Sequence, residues 1–342
     1  MSSQKLRVVF SSLAVGAVWL VLPPSQAAAQ AQDLPDEALV ENVLTVVPNP
    51  VAPNFEAIAL LKFYAAAHGN SFSVGATPVS VVFDGSGIWV ANALGRSVTK
   101  LRDSDGSTEG TFPTPDMAGV LAFDGANIWV TNPNLNSVTK LRASDGAELG
   151  SFPVGLNPVG GLAFDGANIW VSNFRGNTVT KLHASDGVHE GTFPTGVGPR
   201  GVALDGANIW VANTSDGTVT KLRSTDGAQL GTFKTGLMPR KVAFDGSSIW
   251  VANASSNTVT KLRASDGSLL GTFPVGREPL DLSFDGTSVW VANFSGNTVT
   301  RLRATDGFSR GTFRTGQRPD AVAFDGANIW VANSSDDTVS KL

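Results

Sequence analysis

A motif of the form Phe-Asp-Gly-x-x-Ile-Trp-Val-x-Asn, seen at Phe164 to Asn173, recurs seven times along the chain at nearly constant spacing. Its tryptophans fall at Trp89, Trp129, Trp170, Trp210, Trp250, Trp290 and Trp330, a period of 40 residues with a single step of 41. A period near 40 built from short β-type runs is the signature of a propeller, with one four-stranded blade per repeat. The fold class expected is therefore all-β, a seven-bladed β-propeller with four antiparallel strands per blade.

One copy shows how the blade is parsed. Strand A is Val202-Ala203-Leu204, and Asp205-Gly206 turns into strand B, Ile209-Trp210-Val211-Ala212. A loop from Asn213 to Gly217 leads to strand C, Thr218 to Leu222. A second turn at Asp226-Gly227 leads to strand D, Gly231-Thr232-Phe233. Asp-Gly between β-type runs is a strong hairpin signal because both residues tolerate positive φ. Strands A and B are apolar on both faces, as expected of sheets sandwiched between neighbours. The Thr, Lys and Arg of strands C and D suggest outer, solvated strands.

The two ends of the repeat region fit together. The last copy stops at Thr338-Val339-Ser340-Lys341-Leu342, the end of a strand C, while Asn70 to Gly75 match the missing strand D. The N-terminal segment should complete the C-terminal blade and close the ring, which protects the edges an open sheet would leave unpaired.

Composition agrees with many short strands: of 342 residues 37 are Gly, 18 are Pro and only 16% are charged. There is no cysteine, which excludes disulfides, thiol catalysis and zinc–thiolate sites. Residues 1–29 read as a secretory signal, with Lys5 and Arg7 ahead of an apolar run, Val8 to Leu22, and Ala27-Ala28-Ala29 as cleavage site. Its removal would take the formal charge from −4 to −6. A mildly acidic, secreted or periplasmic protein with no membrane span left after cleavage is a poor nucleic-acid binder. Residues 30–54, with Pro48, Pro50 and Pro53, read as a linker, and residues 55–68 as a short helix capped by Asn54. The propeller occupies residues 69–342.

The runs Ile249 to Asn253 and Thr258 to Leu262, I-W-V-A-N and T-V-T-K-L, resemble the YVTN-type propeller repeats of exported bacterial proteins. More loosely they are similar to NHL repeats and to the streptogramin B lyase propeller. The resemblance covers about residues 69–342 and is specific for fold rather than function. In those lyases it implies a histidine, an acid and a magnesium ion at the channel mouth. Here His68, His183 and His189 all fall toward the opposite face, so that activity is not carried over.

A residue repeated in all seven blades is explained by the blade it builds, so the seven turn aspartates, Asp84 to Asp325, are assigned to their hairpins. A discrete site needs positions where the blades differ, and the D–A loops differ most. Around their proline, blades 1 to 3 carry Thr77, Val79, Met117, Gly119, Asn157 and Val159. Blades 4 to 7 carry Arg200, Arg240, Lys241, Arg277, Glu278, Asp281, Arg318 and Asp320. The B–C loops of the same face add Leu94, Arg96, Leu135, Phe174, Arg175 and Phe294. Arg200, Arg240 and Arg318 are expected to converge on an anionic group, with Phe174 or Phe294 as a stacking face, since the planar guanidinium binds carboxylate or phosphate in two places. The competing expectation is ordinary solvated charge neutralised by Glu278, Asp281 and Asp320.

The functional expectation is a monomeric binding scaffold for a small molecule, glycan or protein, with no cofactor and no catalytic or metal residue assigned. The alternatives are a metal-assisted lyase or hydrolase using Asp281 and Asp320, and a cell-surface structural protein. No Gly-rich phosphate loop, Ser-His-Asp spacing or H-E-x-x-H motif is present.

Overall fold

The computed structural model describes residues 70–342. The signal, linker and short helix expected over residues 1–68 lie outside the described residues, as does His68. The described residues form seven four-stranded antiparallel sheets, six of them simple A-B-C-D meanders. Blade 4, for example, comprises Pro199–Leu204, Asn208–Asn213, Thr218–Arg223 and Gln229–Lys234.

The seventh sheet is closed by the N-terminal strand. Asn70–Ser73 pairs with Thr338–Lys341 in the register Asn70↔Lys341 and Phe72↔Val339. This is the register of strands C and D in blade 4, where Lys221 faces Gly231 and Val219 faces Phe233. Two further bonds bridge the seam: Val74 N–H donates to the Asp337 carbonyl at 2.9 Å, and Thr77 N–H donates to Asp337 Oδ1 at 2.8 Å.

The core consists of seven equivalent inter-blade clusters. In six, the Trp of one blade packs on the Ile or Val and the Leu of the next, as Trp89 does on Ile128 and Leu141 and Trp330 on Ile88 and Leu101; in the seventh, Trp290 packs on Val322, Ile329 and Val331 of the last blade. Burying one such Trp removes roughly 150–250 Å² from water, about 4–6 kcal/mol at about 25 cal/mol/Å² before entropy. Strand D adds a Phe beside each Trp, with Phe72 5.5 Å from Trp330 and Phe233 5.4 Å from Trp210, centroid to centroid. Six of these rings, all but Phe313, lie under the glycine of the next blade's C–D turn. A Cβ at Gly106, where φ is +72°, would sit 2.2 Å from Phe72, so both the backbone and the contact require glycine there.

Two features differ from the sequence expectation. Strand C is not a solvated outer strand, because the Thr and Lys that suggested it are buried: Thr220 is 1% and Lys221 7% exposed. The lysine reason is specific. Lys221 Nζ lies over its own Trp210 ring and donates to the Ala264 carbonyl of the next blade at 2.7 Å, and Lys140 does the same to Ala184. The turn aspartates also do more than shape a hairpin. Asp205 Oδ1 accepts the Ala207 and Asn208 amides, while Oδ2 accepts the Trp210 indole N–H at 2.7 Å. All seven blades carry this Asp–Trp bond.

The ring is not uniform. Strand A spans six residues in blades 1 and 4 to 7, but only Leu121–Phe123 in blade 2 and Leu162–Phe164 in blade 3. Blade 2 has Ala118 in place of the proline that starts the longer strands, and blade 3 carries one extra residue at Gly160-Gly161. In both, the inner wall at the loop end is irregular backbone with small side chains.

Candidate ligand site in the central channel

Strand A is the innermost strand, so the residues just after its leading proline meet around the axis. They line a cavity of about 250 Å³ to which all seven blades contribute. Blades 1 to 3 supply a neutral wall of Val79, Ala118, Gly119, Val120, Val159 and Gly160. Blades 4 to 7 supply Arg200, Arg240, Lys241, Asp281 and Asp320, with Leu280 among them. The neutral and charged arcs of the sequence are thus two halves of one cavity. The glycines of blades 2 and 3 serve close packing here, since a Cβ at Gly119 would meet Thr131 and one at Gly160 the backbone of Arg200.

Position relative to the proline decides which basic residues enter. Arg200 and Arg240 follow Pro199 and Pro239 directly and start the inner strand. Arg318 precedes Pro319, in a left-handed turn with φ +53°, and its exposed side chain lies over the Phe294 ring at 5.4 Å. Arg277 is likewise exposed, in a shallow rim depression with Glu278 and Ser295. Arg277, Arg318, Phe174 and Phe294 therefore stand outside the cavity, and five of the nine candidate residues come together within it. Phe174 supports one of the five, since the guanidinium carbon of Arg200 lies 4.6 Å from its ring centroid.

The charges inside are unequally matched. Asp281 is committed: Oδ1 pairs with Lys241 Nζ at 3.2 Å and accepts the Leu282 amide, and Oδ2 accepts the Val322 amide of blade 7 at 2.9 Å. Ser80 plays the equivalent part in blade 1, its Oγ accepting the Leu121 amide of blade 2. Among the described residues, neither Arg200 nor Arg240 has a carboxylate within ion-pairing distance, and Arg200 Nε is buried without a hydrogen-bond partner. Burial lowers the pKa of both guanidinium groups. In Arg200 the neighbouring Arg240 adds to this, bringing it to about 10, so it stays charged at neutral pH.

Asp320 is the uncommitted acid. Its carboxyl lines the lumen but is walled by protein on most sides, and this desolvation pushes it up to about 7. Arg240 and Arg200 pull it down, whereas Asp281 and Glu278 push it further up. The cavity charges sum to one net positive with Asp320 ionised and two with it protonated. Sequence reasoning missed Leu280, Ala93 and Pro133 as lining residues, since nothing in a local pattern says which loop atoms reach the axis.

The two described histidines sit at the C–D end of blade 3, where His183 Nδ1 contacts Asp186 and His189 Nε2 contacts Thr192. Among the described residues no three His, Cys, Asp or Glu side chains converge as a metal site.

No protein-family model matches the chain, and no curated protein sequence matches it. Solved structures do. Hydrazine synthase of Kuenenia stuttgartiensis superposes with a TM-score of 0.70 at 18% identity, over 78% of this chain and 95% of that one. A streptogramin B lyase gives 0.68 at 17%, over 79% and 95%. Virginiamycin B lyase from Staphylococcus aureus gives 0.68 at 16%, over 79% and 97%. The likeness is one of fold. At these identities it extends to the seven-bladed ring and not to the residues of the cavity.

Proposed function

We propose that this propeller is a binding scaffold that captures a small anion, a carboxylate or a phosphate, at the mouth of its central channel. The observation that carries the reading is the pair Arg200 and Arg240, two charged guanidinium groups that face one cavity without a carboxylate partner. Buried charges are ordinarily paired, and a planar guanidinium offers two parallel donors to a carboxylate or phosphate. A cavity of this volume favours a small ligand over a glycan or a protein segment. The repeat's resemblance to exported YVTN-type propellers and the signal-like residues 1–29 support action outside the cytoplasm.

The test is thermal unfolding against a panel of small carboxylates and phosphates, in the natural protein and in Arg200→Ala/Arg240→Ala. A ligand at about 100 times its Kd should add roughly 2.7 kcal/mol of stability. The reading predicts such a shift in the natural protein and its loss in the double variant. Equal shifts in both, or none in either, would overturn it.

An enzymatic reading is favoured by Asp320, because a carboxyl titrating near neutrality suits general acid–base chemistry, and two of the fold neighbours are lyases. The metal-assisted version relies on Asp281 together with Asp320. Both Asp281 oxygens are already engaged by Lys241 and backbone amides, so Asp320 is the acid on which this version depends. Turnover lost in Asp320→Asn while anion binding persists would establish it.

A further inference from the structure

One side of the cavity lining is uncharged, and the loops that form it carry exposed apolar side chains. Met117 lines the lumen and is also 36% exposed, so it stands at the edge of the cavity. Ala93 and Pro133, from the B–C loops of blades 1 and 2, line the same side. One residue beyond Ala93 is Leu94, 66% exposed, and two beyond Pro133 is Leu135, 54% exposed. Single exposed leucines are ordinary. Here they flank the one side of the cavity that carries no charge.

The Met117 loop is a local departure from the repeat. In blades 1, 3, 5, 6 and 7 the residue at Met117's place is left-handed and leads into proline: Thr77, Asn157, Met238, Glu278 and Arg318, with φ between +53° and +56°. Blade 2 has neither feature. Its loop is held instead by Asp116, whose carboxylate accepts the backbone and side-chain N–H of Asn134 at 2.7 and 3.0 Å. Thr114 Oγ1 donates to the Asp116 carbonyl and completes the clamp. The loop is thus fixed in its own conformation, with Met117 beside the cavity and Leu135 on the clamped partner loop.

We propose that the ligand is a single-chain amphiphile, its anionic head held at Arg200 and Arg240 and its apolar chain leaving past Met117 and Pro133 onto Leu94 and Leu135. This rests on the anion-binding reading above and extends it. About 250 Å³ lies below the usual range of drug-sized pockets, so it holds a head group and a few carbons while a longer chain must emerge. The emerging chain has a preferred direction. The rim of blades 6 and 7 presents Arg277, Glu278 and Arg318, whereas the rim of blades 1 and 2 presents Leu94, Met117 and Leu135 beside a single cation, Arg96, whose guanidinium donates to the Pro115 carbonyl.

The test is calorimetric titration with butanoate, octanoate and dodecanoate, each below its micellar concentration. Full burial of a methylene raises affinity about fourfold, and a chain lying on a surface gains roughly half of that in free energy. Dodecanoate should therefore bind about 10- to 20-fold more tightly than octanoate. In Leu94→Ser/Leu135→Ser that ratio should fall below about threefold, and in Arg200→Ala/Arg240→Ala all three should lose affinity. Butanoate binding with no gain from added methylenes, or a ratio untouched by the two leucine substitutions, would overturn the amphiphile and leave the anion site standing. Failure of every chain length to bind would overturn both.

Discussion

The guanidinium of Arg200 stacks on the ring of Phe174 at 4.6 Å, and its Nε is buried there without a hydrogen-bond partner. The aromatic face holds the group in position without neutralising it. Arg240 shares the cavity, and each arginine raises the cost of the other.

Replacing one of the two should therefore separate stability from binding. Arg240→Met removes a desolvated positive charge and keeps most of the side chain's volume. Substituting apolar groups for poorly matched buried charge is commonly neutral or stabilising. We expect a thermal midpoint at pH 6 equal to or above that of the natural protein, together with loss of the anion-induced shift. A midpoint several degrees lower would show that Arg240 supports the ring instead.

Asp320 gives the site a pH dependence whose sign is fixed. Its carboxyl is raised to about 7, so between its unfolded value near 4 and that pH the folded protein holds a proton that the unfolded chain has released. Its contribution to stability is present at low pH and falls as pH rises through that window. Asp320→Asn removes the dependence. The variant's thermal midpoint relative to the natural protein should climb by at least about 2 °C between pH 5 and pH 8. Anion affinity of the natural protein should rise as pH falls from 8 to 6, because the cavity gains positive charge, and that rise should be absent in the variant.

Much of this molecule is legible in the sequence because its repeats agree. The blade count, the hairpins at Asp-Gly and the pairing of Asn70–Ser73 with the last strand all follow from comparing copies, and the structure shows each of them. The charged and neutral arcs were legible too, because Arg200, Arg240 and Asp320 occupy one place in the repeat where blades 1 to 3 carry small or apolar residues. What could not be read was one-residue detail of direction. Arg318 and Arg240 look alike in a list of loop cations, yet one precedes its proline and points to the rim while the other follows and points to the axis. The burial of Lys221 was hidden for a different reason: its partner is a backbone carbonyl 43 residues away, which no local pattern reveals.

The Asp–Trp bonds set the acid limit of the ring. Desolvation pushes the carboxyls of Asp84, Asp124, Asp165, Asp205, Asp285 and Asp325 up. The Trp indole and the turn's backbone and side-chain donors outweigh it and hold all six below the ordinary value of 3.8. A lowered carboxyl pKa adds stability above the unfolded value and loses it as pH falls through the folded one. Stability should thus drop steeply below about pH 4, through several equivalent sites. Asp205→Ala should cost about 1–3 kcal/mol at pH 7 by stranding the Trp210 N–H, measured by urea denaturation, and should be less acid-sensitive than the natural protein. An unchanged unfolding midpoint would show that the indole N–H finds another acceptor.

Closure of the ring predicts an equivalence between residues far apart in sequence. Phe72 occupies in blade 7 the place that Phe233 holds in blade 4: the same register against strand C, a nearly equal distance to the blade's Trp, and a glycine of the next blade's turn above the ring. If the N-terminal strand is a full member of the last blade, Phe72→Ala and Phe233→Ala should destabilise by similar amounts. For half-buried aromatic rings we expect about 2–3 kcal/mol each, below the roughly 3–5 kcal/mol of fully buried ones. The two substitutions lie in different blades with no shared partner, so their effects should add. Deleting residues 69–75 goes further, since it removes the Phe72 contact, four strand residues and the seam bond from Val74 N–H to the Asp337 carbonyl. That deletion should lower the thermal midpoint of the whole ring in one transition and not merely fray blade 7. Unchanged unfolding after the deletion, or a cost for Phe72→Ala well under that for Phe233→Ala, would mean that the seam is an ornament on a ring closed by the other six interfaces and the Trp330 contact alone.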